Sequence, residues 1–124
     1  MPEIDSHYLS EAAELFERQR GKPPSAASED VAARIWAALG TGLPEELRGS
    51  AFWALGKRCQ KEDKKRFVAA LQHEVSRSSS VSYQIMIALD NLDEPVFAIG
   101  RSGASLLEAE QNLADAERYL AKTR

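Results

Sequence analysis

Hydrophobic positions along this chain recur at helical spacing almost from end to end. The stretch that organises the pattern is Ser79 to Phe97, SSVSYQIMIALDNLDEPVF. Its centre, Ile85-Met86-Ile87-Ala88-Leu89, is apolar nearly all the way round a helix, and such a helix must be buried on most sides. Ser79 or Ser80 can cap its start, and Asp93-Glu94-Pro95 stops it.

Amphipathic stretches flank this segment on both sides. A first helix is predicted from Asp5 or Ser6 to Arg20, with Leu9, Ala12, Ala13 and Phe16 as its stripe and Gly21 after it. Lys22-Pro23-Pro24-Ser25 follows as a stiff connector. A second helix from Ser28 buries Val31, Ile35, Trp36 and Leu39 and ends at Gly40-Thr41-Gly42. Pro44 suits the first position of a third, which runs to about Arg58 with Leu47, Ala51, Leu55 and Cys59 on one face. A fourth, Glu62 to Arg77, turns Phe67, Val68, Leu71 and Val75 inward. After the central fifth helix, Ser105-Leu106-Leu107-Glu108 is a capping-box pattern opening a sixth, with Leu106, Ala109, Leu113, Ala116 and Leu120 at spacings 3, 4, 3, 4. The expectation is an all-α domain of about six helices in antiparallel pairs spanning residues 1–124, with no strand.

Two segments repeat. Ala54-Leu55 and Ala88-Leu89 are small-Leu steps 34 residues apart, each followed by a polar turn and another amphipathic helix. Two helices per such interval is the unit of an α-solenoid. Through Arg48, Ala51, Ala54-Leu55-Gly56, Phe67-Val68-Ala69-Ala70-Leu71, Ala88-Leu89 and Asp93-Glu94-Pro95, the stretch Leu47 to Leu92 resembles HEAT-like repeats. That resemblance implies a short right-handed solenoid, with a closed helical bundle as the alternative. The whole chain also resembles short bacterial helical proteins, some of them immunity proteins of polymorphic toxins. This second resemblance implies a toxin domain as partner.

Composition changes the picture little; the distribution of charge changes it more. With 124 residues, 44 per cent apolar and 28 per cent charged, the chain can bury a sizeable core. No apolar run approaches a membrane span and the N-terminal stretch is acidic, so neither a span nor a signal peptide is expected. The single cysteine makes a reducing cytoplasm the expected compartment. The net charge of −3 speaks against a dedicated nucleic-acid binder. Residues 1–47 carry −5, residues 48–78 carry +5 and residues 79–124 carry −3, a basic middle between acidic ends.

Candidate chemistry is sparse. His7 and His73 stand on different predicted helices without spaced ligands, and neither a metal nor a catalytic role is assigned to them. Cys59 has Lys57, Arg58 and Lys61 around it, which would lower the pKa of an exposed thiol, but its position fits a buried structural cysteine. Gly100-Arg101-Ser102-Gly103-Ala104-Ser105 precedes a helix and could cradle a phosphate. It lacks the lysine and spacing of a nucleotide loop, and a turn with an N-cap is the plainer reading. The basic run Lys57, Arg58, Lys61, Lys64, Lys65 and Arg66 fits a solvated face or a protein-contact edge better than a nucleic-acid surface. Four of these, Lys61, Lys64, Lys65 and Arg66, crowd the predicted first turn of the fourth helix and oppose its dipole, so neighbouring acids or a partner must offset them.

The function expected from these residues is a non-catalytic protein-binding module, a toxin-neutralising immunity protein in its particular form, using no cofactor or metal. Its partner contacts are placed at Asp90, Asp93 and Glu94, carboxylates held in direction by Pro95 and suited to a basic protein. The competing expectations are a small enzyme or ligand-binding protein using the Cys59 and Arg101 regions, and a nucleic-acid accessory factor acting through the 57–66 run.

Overall fold

The computed structural model describes residues 31–56, 61–101 and 104–123. Among them are five α-helices and no strand: α1 (Val31–Leu39), α2 (Glu45–Gly56), α3 (Lys64–Glu74), α4 (Ser79–Asn91) and α5 (Ala109–Thr123), with a 3₁₀ turn at Lys61–Asp63. The protein is all-α. The helix predicted at residues 5–20, the proline connector and the 57–60 part of the basic run lie outside the described residues. The chain divides into two compact units, Met1–Arg58 and Cys59–Arg124.

In the first unit α1 packs against α2. Ile35 and Ala38 of α1 are buried with Ala51, Phe52, Ala54 and Leu55 of α2, while Trp36 meets Phe52 edge to face at 6.0 Å and 78°. The connection closes tightly because Gly42 adopts φ +82°, which costs a glycine little. Pro44 stands just before α2, its carbonyl accepting the first helical bond from the Arg48 amide at 2.9 Å. Arg48 is buried, and its guanidinium donates to the Leu43 carbonyl at 2.9 Å, tying the connection to the helix.

In the second unit α4 is the central element, packing against both α3 and α5. Val81, Ser82, Ile85, Met86, Ala88 and Leu89 are all fully buried, as an apolar circumference requires. Phe67 and Leu71 of α3 and Ala116, Tyr119 and Leu120 of α5 close over it. Val68, Val75, Ile87 and Leu113, expected inside, are only half-buried. A turn of residues 75–77 joins α3 to α4, too short for anything but antiparallel neighbours. α3 therefore ends at Glu74, three residues before the predicted Arg77.

The cap of α4 is Ser78, not the expected Ser79 or Ser80. Its φ of −152° is extended, and its hydroxyl accepts from the Val81 amide at 3.1 Å. Consecutive serines are chemically equivalent caps; the turn from α3, closed by Ser78 N–H donating to the Glu74 carbonyl at 2.8 Å, selects among them.

At the other end α4 closes in a Schellman motif. The Glu94 amide donates to the Leu89 carbonyl and the Asp93 amide to the Asp90 carbonyl, each at 3.0 Å. The left-handed position is taken by Asp93 (φ 64°), where glycine is usual. Pro95 prevents continuation, and Val96 and Phe97 fold back into the core.

The largest departure is at α5. The predicted stripe begins at Leu106, yet the helix begins at Ala109, Leu106 is 43 % exposed and Leu107 91 %. The capping-box contacts nevertheless form: the Leu107 amide donates to Ser105 Oγ and the Ser105 amide to Glu108 Oε2, both at 3.1 Å. They close one isolated turn ahead of the helix, so Leu106 never reaches the inward face.

The core sets two expectations for stability. Leu89→Ala removes a fully buried side chain between α3 and α5 and should lower the unfolding free energy by about 2–5 kcal/mol in a denaturant titration; an unchanged midpoint would mean α4 is not central. Ser82 Oγ is buried without a hydrogen-bond partner. Ser82→Ala removes that orphaned polar atom and should leave stability unchanged or raise it by about 1 kcal/mol.

Candidate functional site

Sequence reasoning points to the end of α4 and the connection from it to α5, residues 92–108. Two polar clusters hold that connection, and both rest on α5.

The first is centred on Glu94. Tyr119, buried on α5, donates its phenol hydrogen to Glu94 Oε1 at 2.7 Å, and Lys64 Nζ lies 3.2 Å from the same oxygen. One carboxylate thus bridges the first residue of α3 and the middle of α5. It supplies the acid that the crowded first turn of α3 requires, a gain of about 0.2–1 kcal/mol for a pair this accessible. Burial, and then the adjacent Glu94 carboxylate, push the Tyr119 phenol well above its ordinary value of 10.0. The phenol therefore holds its proton, and the pair ties the end of α4 to α5.

The second cluster surrounds Arg101. Its guanidinium pairs with Asp115, donates to Asn112 Oδ1 at 3.1 Å and lies 3.6 Å from Glu108. Asn112 in turn donates to the Ser105 carbonyl at 2.9 Å, and Arg118 reaches the other Asp115 oxygen at 3.2 Å. Asn112 and Asp115 are 2 % and 4 % exposed, so the buried carboxylate is matched by two guanidinium groups rather than left bare. Gly100, with φ +83°, makes the turn that sends Arg101 inward.

The three predicted contact residues consequently differ. Asp93 is exposed, Asp90 is half-buried and engaged, and Glu94 is held by Tyr119 and Lys64. Asp93 and Glu94 border an open depression of about 360 Å³ together with Lys61, Lys64 and Leu92, so opposite charges share it.

The competing sites fare as follows. Cys59, Lys57, Arg58 and His7 lie outside the described residues, as do Ser102 and Gly103 of the glycine-containing loop. The Arg101 guanidinium in that loop is committed to α5 rather than turned toward an anion. Lys61, Lys64, Lys65 and Arg66 are all exposed; Lys64 is paired with Glu94, and Arg66 is engaged as well. His73 is exposed on α3, its Nε2 3.4 Å from Arg77. Among the described residues no three His, Cys, Asp or Glu side chains converge as metal ligands, and no helix is long and apolar enough to cross a membrane.

Two features escaped sequence reasoning. The Arg101–Asn112–Asp115 cluster joins residues far apart in sequence, and only the polar residues at Asn112 and Asp115 within the α5 stripe hinted at it. Ile99 and Leu107 stand 104 % and 91 % exposed on the connection. No protein-family model matches this sequence, and no curated protein or solved structure does so either.

The tyrosine makes the first cluster testable in alkali. A raised folded pKa means that the folded state keeps a proton the unfolded chain loses, so the contribution is intact below pH 10 and is lost as pH rises above it. Tyrosinate absorbance should show a component titrating late, coincident with unfolding, and Tyr119→Phe should remove it. A phenol of Tyr119 ionising near pH 10 in the folded protein would contradict this tie.

Proposed function

We propose that this protein is a protein-binding module without turnover of its own, and that the connection from α4 to α5 is its contact surface. The observation that carries this reading is the full exposure of Ile99 and Leu107 on a connection anchored at Glu94 and Arg101. The Schellman closure and the Glu94 bridge hold one end, and the Arg101 cluster holds the middle. Large apolar side chains cost free energy in water, and on a fixed loop they are presented ready for a partner with little ordering cost at binding.

The finer form of the proposal follows the sequence resemblances. Both small-Leu steps are buried, Ala54 and Leu55 in α2 and Ala88 and Leu89 in α4, which supports helix pairs of the HEAT-like kind. A toxin domain, neutralised by this chain as its immunity protein, is the partner class implied by the resemblance to short bacterial helical proteins. Asp90, Asp93 and Glu94 supply the acidic edge for a basic partner, with Asp93 the most accessible.

Affinity capture from the native host, or co-expression with the product of the neighbouring gene, tests the reading. A partner should be retained in stoichiometric amount by the full chain and lost by the Ile99→Asp/Leu107→Asp double variant. Asp93→Gly is the clean electrostatic probe, because glycine suits the left-handed backbone while the carboxylate is removed. It should slow association at low salt and leave stability intact. A partner held equally by all variants would remove this surface, and absence of any stoichiometric partner would remove the reading.

A further inference from the structure

An open groove of about 400 Å³ runs between residues 95–99 and α5. Val96 and Phe97 are its buried apolar lining, and Ile99 stands at its rim. On the α5 side it is edged by Arg118 and Lys122, four residues and so one turn apart. Asp115, the acid in the groove, is already matched by Arg101 and Arg118, which leaves the edge cationic. Lys122 is exposed in the last turn of α5. Cations there also suit the helix dipole, but the dipole does not require an uncovered isoleucine in the same groove.

Resting on the protein-binding reading above, we infer that this groove docks an apolar segment of the partner protein whose flanking residues are acidic. The apolar side chains of that segment cover Ile99 and reach toward Phe97, while its carboxylates meet Lys122 and Arg118. A small ligand fits less well: Ile99 projects fully into solvent, so a molecule seated in the depression would leave it wet, whereas a peptide lying across the rim covers it. A nucleic-acid backbone fits less well again, since two cations beside an apolar lining give a strand few phosphate contacts. Together with the acidic edge at Asp93, the contact face carries both signs, which fixes the orientation of a partner and not merely its attraction.

The test is a displayed library of peptides about four helical turns long, with apolar residues fixed at helical spacing and the remaining positions varied among acidic, basic and neutral residues, selected on the full chain. Selection should enrich Asp and Glu beside the apolar positions. An enriched peptide should bind about tenfold or more weakly to Ile99→Ser, from the lost apolar contact. It should bind about fivefold more weakly to Lys122→Glu, and its lysine-substituted counterpart should bind that variant better than the unaltered chain. Both replaced side chains are exposed, so folding is preserved, and an unchanged circular dichroism spectrum confirms it. Enrichment of basic or neutral flanks, indifference to both substitutions, or no enrichment at all would overturn the inference. If it is overturned while a partner captured from the host is still released by the Ile99→Asp/Leu107→Asp variant, the groove falls and the protein-binding reading stands. If the full chain retains no partner at all, it is that reading which falls.

Discussion

The second unit depends on the burial of α4. Its apolar circumference has no stable place at a surface, so α3 and α5 must both lie against it, with Phe67, Leu71, Ala116 and Leu120 closing over Val81, Ile85, Met86 and Leu89. Each such side chain contributes on the order of 1.5–3 kcal/mol by leaving water. The short turn before α4 makes α3 antiparallel to it; the long connection after it must travel back to bring α5 alongside.

That connection raises the problem the polar clusters solve. A long irregular segment carries unpaired backbone groups and side-chain entropy, and without anchors it would be mobile. The Schellman motif satisfies the carbonyls at the end of α4, and Val96 and Phe97 add apolar anchorage. Glu94 then reaches the exposed Lys64 of α3 and the buried Tyr119 of α5, and Arg101 reaches the buried Asn112 and Asp115 of α5. The carboxylates of Glu94 and Asp115 are matched by donors, which makes their burial tolerable. Ile99 and Leu107 stay exposed on a connection anchored through Glu94 and Arg101.

The division of labour among the acids follows from the same geometry. Asp93 and Glu94 are adjacent in sequence but not in role, because the left-handed turn at Asp93 leaves its carboxylate outside and sends Glu94 back toward Tyr119. Composition could not distinguish them. A single backbone dihedral did.

The sequence by itself determined the helical class, the order and approximate limits of the helices among the described residues, and the centrality of the 79–91 segment, because periodicity and apolar circumference are local properties that packing must respect. The crowded cations opening α3 called for neighbouring acids or a partner to offset them, and Glu94 is such an acid. The tertiary structure alone decided which serine caps α4, why Leu106 stays outside α5, and which residues meet Arg101. Equivalent serines are separated only by the turn they must fit, a capping box can close without the helix that usually follows it, and the Arg101 partners come from 11 and 14 residues away. Whether an arginine faces solvent or a buried carboxylate is written in the path of the loop, not in its composition.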